Sequence, residues 1–446
     1  MATIGIEIVD AALVAAREGL RVASHPGVAV LGPGALTTGE AAAAVQRLTP
    51  ALANDRYWSD LSTESLARIE EPQLSHADLA HAQLAALWRE AAQPGDEAAF
   101  ALPATMRPRS AGLLVGIARA AGIPLAGVVD AAVAACAGLV ARETVLHLDV
   151  QLHQAVLTEM GGGDVLRRRR VETATRAGLK PMHAAWAQLV AEALVRRTRF
   201  DPLHQAATEQ QLYLRLPGWI AALGEQETVD AVVETDGGSF TATVRREQFT
   251  LAAEAWYAQL TELVQGVHRV DEPATLALSA RAASLPALAA RLGALPGLEV
   301  VALPDVAAAA GAAERAAELA PADPPALVIA LARAHPVAAS PRRRAVAVPA
   351  THVVQGGRAH AIGAEPIVIG AGAGAGRRIA LPAGAPGISR EHCSIVADGG
   401  RALVRDHSRH GTFLNGERIA GEAELGAGDR LRIGTPGVVL ELVAAG

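Results

Sequence analysis

The sequence predicts a multidomain chain with a large α/β body, a linker rich in Pro, Ala and Arg, and a small all-β module at its C-terminal end. Three observations carry this expectation. The chain has 446 residues, enough for roughly two to four domains, so one core cannot account for it. Helical and strand-like periods alternate through the first three quarters, the pattern of an α/β domain. Towards the C-terminus many short apolar runs follow one another between turn residues, which favours a sandwich. The body is placed at residues 1–317, the linker at 318–350 and the module at 351–446.

Residues 4–30 alternate apolar runs with turn residues (IGIEIV, ALVAAREG, LRVAS, VAVLG), which predicts a β-meander. From Gly39 the spacing becomes helical. EAAAAVQRL is followed by LSHADLAHAQLAALWREAA, with Leu79, Leu84 and Leu87 on one face, so the stretch to about Gln93 is expected to be mostly helix. AAFALPA is a buried-strand candidate, SAGLLVGIARAAG a helix with a glycine stop, IPLAGVVD a strand and AAVAACAGLVA a helix. ETVLHLDV, then QAVLTEM and VLRRRRVET around a GGGD turn, predict a strand and a hairpin, and helical patterns dominate residues 181–223. VDAVVE and SFTATVRREQF form a second hairpin before the helix LAAEAWYAQLTELVQGV. TLALSA, LPALAARLGAL and LEVVAL then give strand, helix and strand. Over 318–350 the segments PADPP and HPVAASPRRRAVAVPA lose periodicity, as a linker does.

Apolar residues make up 51% of the chain but aromatic residues only 3%, so Ala, Val and Leu must fill the interior. A net charge of −6 with acids and bases interleaved gives no basic field for nucleic acid. Cys136 and Cys393 lie far apart without a CxxC neighbour, which argues neither a disulfide framework nor a zinc site and suits a reducing cytoplasm. The N-terminal apolar run contains acids and lacks a basic leader. With no stretch near ~20 apolar residues, a soluble cytoplasmic protein without a membrane partner is expected. Arg167 to Arg170 are expected on a solvated hairpin, Arg342 to Arg344 on the linker, and Trp186 and Trp219 in the core. Gly370, Gly372, Gly374 and Gly376 lack the following helix of a dinucleotide loop, and His392, Cys393, His407 and His410 form no metal-ligand motif.

The module carries Gly387-Ile388-Ser389-Arg390-Glu391-His392, then Asp406-His407-Ser408-Arg409-His410-Gly411-Thr412-Phe413-Leu414-Asn415-Gly416, then Gly428-Asp429 ahead of Gly434. This arrangement resembles the forkhead-associated (FHA) domain, a β-sandwich that reads phosphothreonine. A phosphothreonine brings close to two negative charges and three acceptor oxygens, so its receptor needs convergent hydroxyl, amide and guanidinium donors. The resemblance implies that Ser389 donates to the phosphate and that Ser408, Arg409 and His410 lie on the loop contacting phosphate and peptide. It further implies that His392 and Asn415 brace the loops, with Arg390 as an extra cation. One departure stands out: Ala371 follows Ile369-Gly370 where the family has an arginine. Arg377 and Arg378, at the end of the GAGAGAGRR loop, either fold back to supply that charge or sit solvated at a strand start.

IGIEIVDAALVAA, the helix from Gly39-Glu40, FALPATMRPRSAGLLVGIARAAGIPLAGVVDAAVAACAG, LHLDVQLHQAVLTEM and LALSARAASLPALAARL follow one another along the body. In order and spacing they resemble the actin-like ATPase superfamily, a duplicated ribonuclease-H-like fold, in the branch of the heat-shock chaperones. Catalysis on that fold needs an acid for Mg²⁺ and glycines that let amides approach phosphates. Here Glu7 stands for the usual Asp, Val9 for a glycine, and Ala11 and Ala12 for hydroxyl residues. Asp149 is kept but is followed by Val150, Gln151 and Leu152, and Ala280 and Arg281 replace a glycine pair. The resemblance therefore implies a pseudo-ATPase with no ATP or Mg²⁺ cofactor, Glu7 and Asp149 being vestiges or simply strand-end polar groups. The function expected is a non-catalytic phosphothreonine-peptide adaptor. The alternatives are a weak ATP-dependent chaperone-like ATPase whose FHA domain recruits clients, and an interaction scaffold that has lost both ligands.

Overall fold

The computed structural model describes residues 2–32, 35–66, 74–270, 272–319, 326–335, 349–355, 358–381, 387–409, 411–414, 417–419, 421–434 and 438–444. They fall into two compact units, 1–339 and 340–446.

In the first unit β1 (Thr3–Ile8), β2 (Ala12–Arg17) and β3 (Leu20–Pro26) form an antiparallel meander. β4 (Ala29–Gly32), β5 (Ala35–Thr38), α1 (Gly39–Ala43) and β6 (Ala53–Asn54) make a small side layer. α2 (His76–Ala91) starts at Ser75, which exchanges hydrogen bonds with Asp78 in a capping box. The stretch to about Gln93, expected to be mostly helix, holds the short α1 and the longer α2 among its described residues, with non-helical chain between them. Pro50 biases Thr49 away from helical backbone, and the chain between turns through a 3₁₀ segment and β6. β7 (Glu97–Leu102), α3 (Pro108–Ala120) and β8 (Leu125–Asp130) extend the sheet in parallel. α4 (Ala131–Cys136) follows at once, capped by the Asp130 carboxylate, which accepts from the amides of Ala132 and Val133.

The second half repeats this plan. β9 (Thr144–Val150), β10 (Ala155–Gly161) and β11 (Val165–Ala174) form a second antiparallel meander. α5 (Leu179–Thr198), α6 (Ala206–Glu225), the hairpin β12 (Thr228–Thr235) and β13 (Gly238–Arg245), α7 (Arg246–Ala252) and α8 (Glu254–Gln265) come next. β14 (Ala274–Leu278), α9 (Ala280–Ala283), α10 (Leu288–Gly293) and β15 (Leu298–Ala302) then add the parallel strands, followed by α11 (Ala307–Glu314). The sheets run β16-β8-β7-β1-β2-β3 and β15-β14-β9-β10-β11-β17, where β16 is Leu327–Val328 and β17 is Ala330–Ala332. Each places its first strand centrally, with the antiparallel meander on one side and the parallel strands on the other.

One buried cluster draws from both sheets (Ala99, Ala101, Val129, Val145, Met160, Ala277) and from α4 and α11. Small residues let backbones approach closely there. A Cβ on Gly5 would stand 1.7 Å from the Ala309 carbonyl oxygen, and one on Gly311 2.0 Å from that of Ala134. The low aromatic content has this use. Trp186 is fully buried in the larger core of the second half, where Trp219 is 8% exposed.

Part of the expected linker belongs to the body. Leu319 is buried, β16 pairs with β8, and β17 pairs with β11. Strands this short leave no readable period. Arg342 to Arg344 lie outside the described residues, and no helix among the described residues is long and apolar enough to cross a membrane.

The second unit is a sandwich of β18 (His352–Gln355), β19 (Arg358–Ala361), β20 (Ile367–Gly370), β21 (Arg378–Ala380), β22 (Cys393–Asp398), β23 (Arg401–Asp406), β24 (Thr412–Leu414), β25 (Glu417–Arg418), β26 (Glu422–Leu425), β27 (Arg430–Ile433) and β28 (Val438–Val443). Its sheets are ordered β19-β18-β28-β27-β24-β25 and β21-β20-β22-β23-β26. Alternate residues turn inward, as Leu440 and Leu442 do on β28, to meet Ile367, Ile369, Ile395 and Val404.

Candidate functional site

Three loops of the sandwich converge on Ser389. The end of β20 packs flat against the 389–390 backbone, where a Cβ on Gly370 would meet the Arg390 carbonyl oxygen at 2.4 Å. Beyond it Ala371 N–H donates to the Ser389 carbonyl at 3.0 Å and Gly372 N–H to that of Arg390 at 2.9 Å. From the third loop, Arg409 N–H donates to Ser389 Oγ at 3.4 Å.

Two groups hold these loops in place. The buried His392 accepts from Ser389 N–H on Nδ1 at 3.1 Å, so Nε2 carries the proton it donates to the Gly411 carbonyl at 3.2 Å. The Asp406 carboxylate accepts from Ser408 N–H at 3.0 Å and from the Thr412 hydroxyl at 2.7 Å, while Ser408 Oγ accepts from Gly411 N–H at 2.7 Å. Burial would raise the Asp406 carboxyl, but these bonds from Thr412 and Ser408 hold it below its usual range. Asp406 heads the second motif but was given no role from sequence, although an Asp ahead of a Ser-x-x-Gly turn is a recognisable local cap.

The guanidinium groups divide into two kinds. Arg390 and Arg409 are exposed, and among the described residues no hydrogen bond or ion pair engages either side chain. Arg377 instead donates to the carbonyls of Ala361 and Glu365, directed to the β19 side of the loop. Arg378 lies under the glycine loop beside Gly374, paired with Glu391 at 3.2 Å and donating to the Arg390 carbonyl at 3.4 Å. Neither is the free solvated arginine considered from sequence, and only Arg378 reaches the rim of the Ser389 loops. His410 and Asn415 lie outside the described residues. One hydroxyl and two unpaired guanidinium groups, on loops whose amides bond to groups of these same loops, make this end a set of donors suited to a polyanionic group.

In the body, Glu7 on β1 and Asp149 on β9 are brought together by Arg281 of α9. Its guanidinium donates to the two Glu7 carboxylate oxygens at 2.7 and 3.2 Å and to Asp149 Oδ1 at 3.1 Å. Asp149 Oδ2 accepts from the Gln151 side chain at 3.2 Å. Burial would raise the Asp149 carboxyl, but Arg281 overrides it and holds the group ionised below its usual range. The two acids are therefore joined to a cation of the chain itself, not left as separate strand-end groups.

Further contacts join the halves. Asp10, in the β1–β2 turn, accepts from Leu152 N–H at 2.8 Å and from the Ser59 hydroxyl at 2.9 Å. Asp55 pairs with His153 at 3.3 Å and Lys180 at 2.5 Å. Arg47 pairs with Glu209 at 3.2 Å and lies 3.7 Å over the Tyr213 ring, and Gln210 bonds to the backbone of Arg47 and Ala43 at 2.8 Å each. None of Asp10, Asp55 or Arg47 carries a motif that would single it out.

The position between the acids holds a guanidinium, and the Leu152 amide is engaged by Asp10. Val9, Ala11, Ala12 and Val150 flank the two acids with apolar side chains.

No curated protein matches the chain. Residues 367–434 match the family model of the FHA domain, and the sandwich of the second unit, with its loops gathered on Ser389, is an FHA domain.

Proposed function

We propose that the protein is a non-catalytic adaptor whose FHA domain docks a phosphothreonine-containing protein, carried on an actin-like body that does not turn over ATP. The observation that carries the reading is the gathering of loops on Ser389, with the Arg409 amide donating to its Oγ and the exposed, unpaired guanidinium groups of Arg390 and Arg409 borne by these same loops. FHA domains bind phosphothreonine proteins, and these donors match a dianionic ester. Ala371 removes one cation of the family pattern, and Arg378 is the nearest replacement, held in reserve by Glu391.

The test is a peptide library presented with and without phosphate on threonine. Selective capture of phosphorylated members is expected; equal capture of both would count against the reading. The second reading, a weak ATP-dependent chaperone-like enzyme, is favoured only by the repeated strand order of the two sheets, which suits a duplicated ribonuclease-H-like body. Calorimetry with Mg·ATP separates the two, because tight binding would favour the enzyme.

A further inference from the structure

We propose that Arg281 is an internal ligand, its guanidinium taking the place of a cation between Glu7 and Asp149 and clasping the two halves of the body shut without metal or nucleotide. The inference rests on the pseudo-ATPase reading in one respect, that the space between the two acids is a former cation site.

Two carboxylates this deeply buried, with Glu7 7% and Asp149 5% exposed, must be neutralised or the halves must part to let water in. Arg281 satisfies both from one planar group, reaching a residue 274 positions away in sequence. It issues from α9, whose N-cap Ser279 accepts from Ala282 N–H, so the helix that carries it is itself anchored.

Asp10 works in the same sense by the opposite chemistry. It brings an acceptor to the Leu152 amide, a donor that a bound phosphate would otherwise use. Asp55 with His153 and Lys180, and Arg47 with Glu209, Gln210 and Tyr213, close the same division elsewhere. Every one of these contacts joins the first 60 residues to residues beyond 148. A ligand seeking the space between the two acids would have to displace a buried cation and an occupied amide together, so closure is constitutive.

The test uses the full chain and reads hydrogen exchange over residues 150–154 together with the thermal midpoint. Wild type is expected to exchange slowly there, unchanged by Mg²⁺ or Mg·ATP. Arg281→Ala is expected to exchange faster and melt several degrees lower, with millimolar Mg²⁺ or Mn²⁺ restoring both by filling the vacated place. Wild-type exchange and midpoint in Arg281→Ala would overturn the inference, as would failure of either metal to slow exchange in the variant. If Arg281→Ala does not fold, Arg281→Lys serves, since a point charge cannot make three fixed bonds. Faster exchange supports the inference, and an unchanged rate overturns it. Mg·ATP binding to wild type would sink the pseudo-ATPase reading itself, whereas no binding with an unaffected variant sinks only the clasp.

Discussion

Glu391 sets how much positive charge the FHA loops present. It holds Arg378 at 3.2 Å while itself 64% exposed, so the pair is screened by water and costs little to break. Glu391→Gln should therefore raise affinity for a phosphothreonine peptide a few-fold in a fluorescence anisotropy titration, leaving unphosphorylated peptide unaffected. On the proposed phosphate contact, Ser389→Ala removes a hydroxyl donor to a charged group, worth roughly 1.5–3 kcal/mol, so binding should weaken about tenfold or more. The Ser389 loop was legible because its residues are contiguous in a motif. Arg281 was legible only as an obstruction to nucleotide. Its acid partners lie on β1 and β9, and no local pattern reports a contact made across such a separation.

Among the elements, the meanders, the α5 and α6 helices and the sandwich strands follow their sequence periods. The segment between α1 and α2 does not, since alanine-rich spacing favours helix until Pro50 interrupts it. β16 and β17 were hidden for a different reason: strands of two or three residues carry no period, and only tertiary pairing defines them. The alanine layer of α4 and α11 has a sharp steric requirement. Gly311→Ala would drive a methyl against the Ala134 carbonyl, so urea unfolding should show the body destabilised by roughly 1–3 kcal/mol. The same substitution at Gly116 of α3, which faces open space, should be neutral or slightly stabilising.

For the whole molecule, contacts between the halves of the body lean on ionised carboxylates, and acid should loosen them. Burial would raise the Asp55 carboxyl, but His153 and Lys180 hold it below its ordinary value of 3.8. A carboxyl lowered on folding stabilises fully above its unfolded value and loses that contribution as the pH falls through the lower folded one. Thermal midpoints should thus decline below about pH 4. Asp55→Asn should melt lower than wild type at neutral pH and converge with it in acid; parallel curves would show that this ionisation is not involved.

The stretch 327–332 leaves one strand on the edge of the first sheet and the next on the edge of the second. Any pull on the chain from the FHA side must travel through this stitch before it reaches either half. A partner tugging on the sandwich would load both sheets at once, through edge pairings of only two and three residues. Optical-tweezer extension from the two termini should register a small early rupture, abolished by deleting 327–332, ahead of the large unfolding steps.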